Sequence, residues 1–263
     1  MSRFGPFWGE LLGTFILVFI GCGVVATAVL FGVPNSLVGI AAVWGLGVTL
    51  AIFASKSFGP AHLNPAVSLA MWVSKPYALR IFFGYIFFQF IGAFLAGIAV
   101  YGLFREALLD FERKYEILRG SPASVQSSKM FGEFYHQVDG DPSAQLSTLG
   151  AGFAEFMGTL LLVLSIFYLI NLKKLKPILI PPLIGLTVAI LIVFIAPYTQ
   201  AGLNPARDFG PRIVAAIMGW GEAAFPPVSG GFFTVYIFSP LLGGVVGAII
   251  YRYIQFKSRK INA

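Results

Sequence analysis

Charge is what this chain has least of: Asp, Glu, Lys and Arg together make up 11% of its 263 residues, against 57% hydrophobic residues. A soluble domain of that length needs more polar surface to cover itself, so the chain reads as an integral membrane protein. There is one cysteine, Cys22, which excludes an internal disulfide. The two histidines, His62 and His136, stand 74 positions apart and make no metal-ligand spacing. Neither residue type offers a catalytic constellation. The residues therefore imply no enzyme, no metal and no cofactor.

What the chain has in abundance is long apolar runs. Uncharged or nearly uncharged stretches extend from Phe7 to Phe31, Val38 to Ala54, Ile81 to Phe104, Leu146 to Leu172, Pro177 to about Ala196 and Phe232 to Tyr251. At about 20 residues per crossing these predict six transmembrane helices. The first run is longer than a signal-peptide core and lacks a small-x-small cleavage site, so it reads as a retained span.

The net charge of +7 does not point to nucleic acid, because the charges follow topology. With six spans and both termini on one face, that face carries Arg3, Lys56, Lys75, Arg80, Lys173, Lys174, Lys176, Arg252, Lys257, Arg259 and Lys260, and no acid outside the helices. The positive-inside rule makes it cytoplasmic. The opposite loop, 105–147, has five basic and seven acidic residues (Glu106, Asp110, Glu112, Glu116, Glu133, Asp139 and Asp141) and so faces outward.

One pattern occurs twice, as Ala61-His62-Leu63-Asn64-Pro65-Ala66 and as Ala201-Gly202-Leu203-Asn204-Pro205-Ala206. Asn is a favoured N-cap and Pro a favoured first helical residue, so each copy should start a helix whose free amides and positive dipole end face something polar. The run from Asn64 to Val73 makes about 15 Å of helix, roughly half of a hydrocarbon core of about 30 Å. Pro211 removes one backbone hydrogen bond from the second half-helix and is expected to bend it. Irregular backbone at that depth must be buried or line a water-filled cavity, so the extended residues before each Asn are expected to present carbonyls to a channel.

A second echo relates Glu10-Leu11-Leu12-Gly13-Thr14 to Glu155-Phe156-Met157-Gly158-Thr159. The Glu pair is offset by 145 residues and the Asn pair by 140, so the chain is a duplication with halves at about 1–105 and 148–263, joined by an extracellular loop at 106–147. Three spans in each half turn the second copy upside down in the membrane. Gly9/Gly13 and Gly243/Gly247 have the small-xxx-small spacing that permits close helix crossing. The predicted fold is a single all-α membrane channel domain, six transmembrane helices plus two re-entrant half-helices in an inverted repeat.

These residues resemble the major intrinsic proteins, the aquaporins and glycerol facilitators. The likeness extends over nearly the whole chain. It rests on both Asn-Pro-Ala motifs, both Glu-containing spans, Trp44-Gly45-Leu46-Gly47-Val48 and Asn204-Pro205-Ala206-Arg207-Asp208-Phe209-Gly210-Pro211. Asp208 after the Arg, and the loop with Asp110-Phe111-Glu112 and Arg119-Gly120-Ser121, are similar to the glycerol-conducting branch. The resemblance implies that Asn64 and Asn204 meet at the pore centre. It implies that Ala61, His62, Leu63, Gln200, Ala201 and Gly202 offer carbonyls, and that Trp44, Ile192, Ala201 and Arg207 form the outer selectivity filter, with Arg207 supplying a fixed positive charge. It also implies passive transport, a homotetramer in the cell membrane, surrounding lipid, and glycerol, urea, other small neutral polyols and water as solutes. Ile192 stands where bacterial glycerol facilitators have Gly, and Ala201 where they have Phe; water-selective relatives usually place His at the Ile192 position. Tyr236 stands where the glycerol-type pattern favours Pro, and Pro60 replaces a Gly.

Glu10 and Glu155 read as pore-loop supports that accept hydrogen bonds from backbone amides, as buried charges must; Asp208 joins them by resemblance. The alternative for the two Glu residues is a proton relay. His62 reads as a loop tether in preference to a pH sensor. Three function classes follow: a passive channel for glycerol-like solutes, with a water-selective aquaporin as its nearest variant; a proton-coupled small-solute transporter; and a closed membrane-junction protein.

Overall fold

The computed structural model describes residues 5–135, 146–226 and 230–261. Arg3, His136, Asp139 and Asp141, and the side chains of Arg259 and Lys260, lie outside the described residues. Helices α1 (Gly5–Phe31), α2 (Leu37–Ser55), α3 (Pro65–Ser74) and α4 (Leu79–Lys114) are followed in the connecting loop by the single turn α5 (Val125–Ser128). The order then repeats with α6 (Thr148–Asn171), α7 (Ile180–Thr199), α8 (Pro205–Ala215) and α9 (Ser239–Ile261). Six of these segments are long and apolar enough to cross a membrane. Helices α3 and α8, at 10 and 11 residues, are the half-length ones.

Local chemistry sets the helix starts. Ser36, Ser147, Asn64 and Asn204 each sit in extended backbone and accept a hydrogen bond from a backbone amide two or three residues on. In lipid there is little hydrophobic drive between helices, so close contact and dispersion hold them. A Cβ built on Gly92 would lie 2.3 Å from the Leu11 carbonyl of α1, and one on Gly243 would lie 2.3 Å from the Phe156 carbonyl of α6. The two crossings are copies of one another, α1 with α4 and α6 with α9. Gly243 and Gly247 pack against α6 as their spacing predicts. Gly9 and Gly13 seat the end of α2 and the first pore loop instead of another spanning helix.

Three features go beyond the sequence reading. Helix α4 does not stop at Phe104 but continues to Lys114, about 15 Å further. Hydropathy reports where lipid ends, whereas this extension is held by protein: Leu108 is fully buried and Glu112 accepts both carboxylate hydrogen bonds from Arg119 Nε at 3.0 and 2.9 Å. The junction near residue 105 therefore falls inside a helix. Helix α8 carries Pro211 inside it and stays helical to Ala215, and non-helical backbone follows at Met218 and Gly219. Finally, the connecting loop folds back over the bundle, so residues 130–135 are buried.

Candidate functional site

The two half-helices meet at their N-termini. Asn64 Nδ2 donates to the Leu203 carbonyl at 2.9 Å, and Asn204 Nδ2 donates to the Leu63 carbonyl at 2.8 Å. Each Asn Oδ1 meanwhile caps its own helix, accepting from Ala66 N at 2.8 Å and from Ala206 N at 3.0 Å. An amide nitrogen carries two hydrogens. One is spent on the opposite loop, and the other remains for the cavity that both residues line.

Ahead of each Asn the backbone takes a conformation that non-glycine residues rarely adopt: φ is +56° at Ala61, +55° at Leu63, +63° at Ala201 and +53° at Leu203. Each such residue costs about 1–3 kcal/mol, so something must enforce it. Glu10 does so in the first loop. Its Oε1 accepts from His62 N and its Oε2 from Leu63 N, both at 2.7 Å. Glu155 repeats the arrangement with Gly202 N at 2.8 Å and Leu203 N at 2.6 Å. In a trans peptide the N–H and C=O point opposite ways. Drawing those four amides outward therefore turns the carbonyls of Ala61, His62, Ala201 and Gly202 inward.

Gly13 and Gly158 complete the repeat, since a Cβ on them would strike the Leu63 and Leu203 side chains at 2.4 and 2.5 Å. The echoed Glu-x-x-Gly is thus one device used twice: the Glu holds the loop's amides and the Gly seats its Leu. Gln89 Nε2 adds a bond to Glu10 at 2.7 Å and to Ser68 Oγ at 2.9 Å, and Ser68 Oγ lies 3.1 Å from His62 Nδ1. His62 is thereby tethered. In the second loop Thr199 Oγ1 donates to Glu155 at 2.6 Å, while Tyr236 donates its hydroxyl to the Thr199 carbonyl at 3.0 Å.

A cavity of about 370 Å³ is lined by Trp44, Ile192, Ala201 and Arg207 at one end, by Asn64 and Asn204 further in, and by Pro60, Lys56 and Pro177 towards the other mouth. Opposite the carbonyls its wall is apolar, with Leu17, Val48, Leu162, Ile166, Ile184 and Val188. The structure thus brings the four filter candidates and both Asn residues to one space. Gln200 differs: it lines a separate outer cavity of about 350 Å³ with Lys129, Phe111, Val25 and others.

Arg207 stacks on Trp44, its guanidinium carbon 4.2 Å from the ring centroid. Its charge is paired, which the sequence did not show. Glu133, from the connecting loop, forms an ion pair with it, and the two side chains are 7% and 5% exposed. The loop is pinned for that purpose. Asp208 Oδ1 accepts from Glu133 N at 2.7 Å, Arg212 Nη2 donates to the Glu133 carbonyl at 2.6 Å, and Gln200 Oε1 accepts from Phe134 N at 2.6 Å. Arg212 is itself fully buried, ion-paired with Asp208 at 2.9 Å. Asp208 therefore supports the outer loop, whereas Glu10 and Glu155 support the inner ones. Burial pushes the Glu133 carboxyl up to about 7, against the opposing pull of Arg207.

Sequence reasoning missed Glu133. Nothing in its neighbourhood separates it from the loop's other acids, although Asp208 and Arg212, at i and i+4 on a half-helix, were a legible ion pair. Among the described residues no group of three or more His, Cys, Asp or Glu is placed to hold a metal ion.

Residues 2–251 match the family model described as Major intrinsic protein. The glycerol uptake facilitator protein of Haemophilus influenzae is 38% identical over 250 residues, covering 93% of this chain and 91% of that protein. Its namesake in Escherichia coli K12 is 37% identical over 249 residues, covering 92% and 85%. The propanediol uptake facilitator PduF of Salmonella typhimurium is 34% identical over 259 residues, covering 96% and 94%. Among solved structures, the aquaglyceroporin from Plasmodium falciparum superposes with a TM-score of 0.80 at 28% identity, covering 95% of this chain and 96% of that one.

Proposed function

The chain belongs to the major intrinsic protein family, and from that premise we propose that it is a passive channel for glycerol and similar small uncharged solutes, with water, and not an enzyme. The observation that carries this reading is the two-faced wall of the cavity. Carbonyls of Ala61, His62, Ala201 and Gly202 face a cavity whose further lining is mostly apolar, with Leu17, Val48, Leu162, Ile166, Ile184 and Val188. A polyol has the same two faces, hydroxyls on one side and carbon on the other, and exchanges water for carbonyls without burying an unpaired polar group. The named glycerol and propanediol facilitators among the relatives support it.

Within this reading Asn64 and Asn204 offer their remaining N–H groups to the passing oxygen, Trp44, Ile192, Ala201 and Arg207 set the solute size, and the converging half-helix dipoles oppose cations. Both oxygens of Glu10 and of Glu155 already accept backbone amides, which favours a supporting role over proton relay. We further assign both termini and residues 173–176 to the cytoplasm and the 105–147 loop to the outside, in the cell membrane, from the basic residues on one face. A homotetramer in contact with lipid is carried over from the family resemblance.

Stopped-flow light scattering on vesicles containing the purified protein tests the function, with water, glycerol, urea and longer polyols compared side by side. Glycerol flux above protein-free vesicles, unaltered by collapsing proton and sodium gradients, is the result expected. Flux that requires a proton gradient overturns it in favour of coupled transport, and no flux of any solute overturns it in favour of a closed pore.

A further inference from the structure

The indole of Trp44 occupies a seat cut into α1. A Cβ built on Gly21 would lie 2.1 Å from both Cη2 and Cζ3 of that ring, and 2.3 Å from Cζ2. No atom can share that space. Trp44 is 4% exposed and stacks on Arg207, so its benzo edge rests on the bare backbone of Gly21 while its face borders the filter. The fourth wall of the filter therefore depends on a missing side chain in a helix that the filter residues themselves do not include.

The geometry points to Gly21 as a specificity-determining position: the absence of a side chain there lets the indole lie back against α1, and so fixes how wide a solute can pass. This rests on the channel reading above. Helix α2 cannot retreat to make room. On the side away from α1, Gly45 meets Gly185 of α7 backbone to backbone: a Cβ on Gly45 would lie 2.6 Å from the Gly185 carbonyl oxygen, and one on Gly185 would lie 2.2 Å from the Gly45 carbonyl oxygen. A methyl at position 21 needs the ring to move by about 1.5 Å to regain ordinary contact. The open direction is the cavity, which Trp44 lines. Gly21 is mid-helix with no positive φ recorded, so Ala is compatible with its backbone and even favours the helix.

The test is Gly21→Ala in the full chain, read by transport and by structure. The glycerol-to-water permeability ratio should fall by about tenfold, the discrimination that about one methylene confers in an apolar pocket. In a Trp44→Phe background, where no benzo edge reaches α1, the same change should alter that ratio by less than about twofold. An unchanged ratio in Gly21→Ala overturns the inference, and so does an equal fall in the Trp44→Phe background, which would mean that residue 21 acts through something other than the indole. A structure of Gly21→Ala gives a readout that needs no transport: the indole displaced into the cavity supports the inference, and an indole in place, with α1 moved instead, overturns it. Absence of glycerol flux in the unsubstituted protein overturns the channel reading, while the variant's structure still decides the role of Gly21.

Discussion

Glu133 reaches across from the connecting loop to pair with Arg207, so the charge beside Trp44 is shared between two positions 74 residues apart in sequence. With the carboxylate in place the pair is neutral. Burial holds this carboxyl at about 7, above its ordinary value. The contribution of such a group to stability is therefore fully present below the ordinary carboxylate range and is lost as the pH rises through about 7.

The pair predicts a pH dependence of conduction. Below pH 7 Glu133 is protonated and Arg207 becomes an unopposed cation that holds water and hydroxyls through charge-assisted hydrogen bonds, so flux should fall by roughly two- to fivefold between pH 8 and pH 6. Glu133→Gln should show the lower rate at both values. A wild-type profile flat across that range, measured with the outer pH alone varied, would show that the pair does not control flux.

The supporting carboxylates should be sensitive to loss of an acceptor. Glu155 takes hydrogen bonds from Thr199, Gly202 and Leu203. In Glu155→Gln one oxygen becomes an NH₂ that faces donors, leaving at least one buried N–H unpaired at about 1–3 kcal/mol. The detergent-solubilised variant should melt at lower temperature and conduct less, and what flux remains should still ignore a proton gradient. Loss of gradient-driven uptake with unaltered melting would point to a relay.

Ile192 and Ala201 are both buried and line the same end of the cavity. Ala201→Phe should fill that end and cut glycerol flux by about tenfold, and Ile192→Gly should admit longer polyols. Because the sites share one space, the double change should return towards glycerol-sized selectivity instead of summing. If Ala201→Phe leaves every polyol rate as it was, residue 201 is not at the constriction.

Orientation can be read by labelling intact cells with a membrane-impermeant thiol reagent. Leu118 in the connecting loop is 76% exposed and suits the purpose. Leu118→Cys should be modified, Lys174→Cys protected, and native Cys22 silent because it is buried. The reverse pattern inverts the topology.

The spans and the half-helices were legible because each rests on a local rule: an apolar run, an Asn-Pro start, or a repeated spacing. The inverted duplication had the two half-helices entering from opposite faces, and the family resemblance had Asn64 and Asn204 meeting. The partners that make the site work are long-range. Gln89 is one more polar residue in a span until it is seen to bridge Glu10 and Ser68, and Glu133 is one acid among many until Asp208 and Arg212 grip its backbone. The end of α4 was misplaced for a related reason: hydropathy senses lipid, and Leu108 is buried within the protein instead.

The paired bonds from Asn64 to Leu203 and from Asn204 to Leu63 also speak to ancestry. In one half alone neither amide has its carbonyl, but two identical halves packed about a two-fold axis in the membrane plane would close both bonds across a self-complementary interface. A half-length ancestor is thus structurally complete as a homodimer with the pore along its seam. Such a dimer must have identical mouths. In the present chain the position equivalent to Arg207 is Val67, which also lines the cavity, so at this pair of positions one half carries a paired cation and the other a hydrocarbon side chain. Fusing the copies is what freed the two ends to differ.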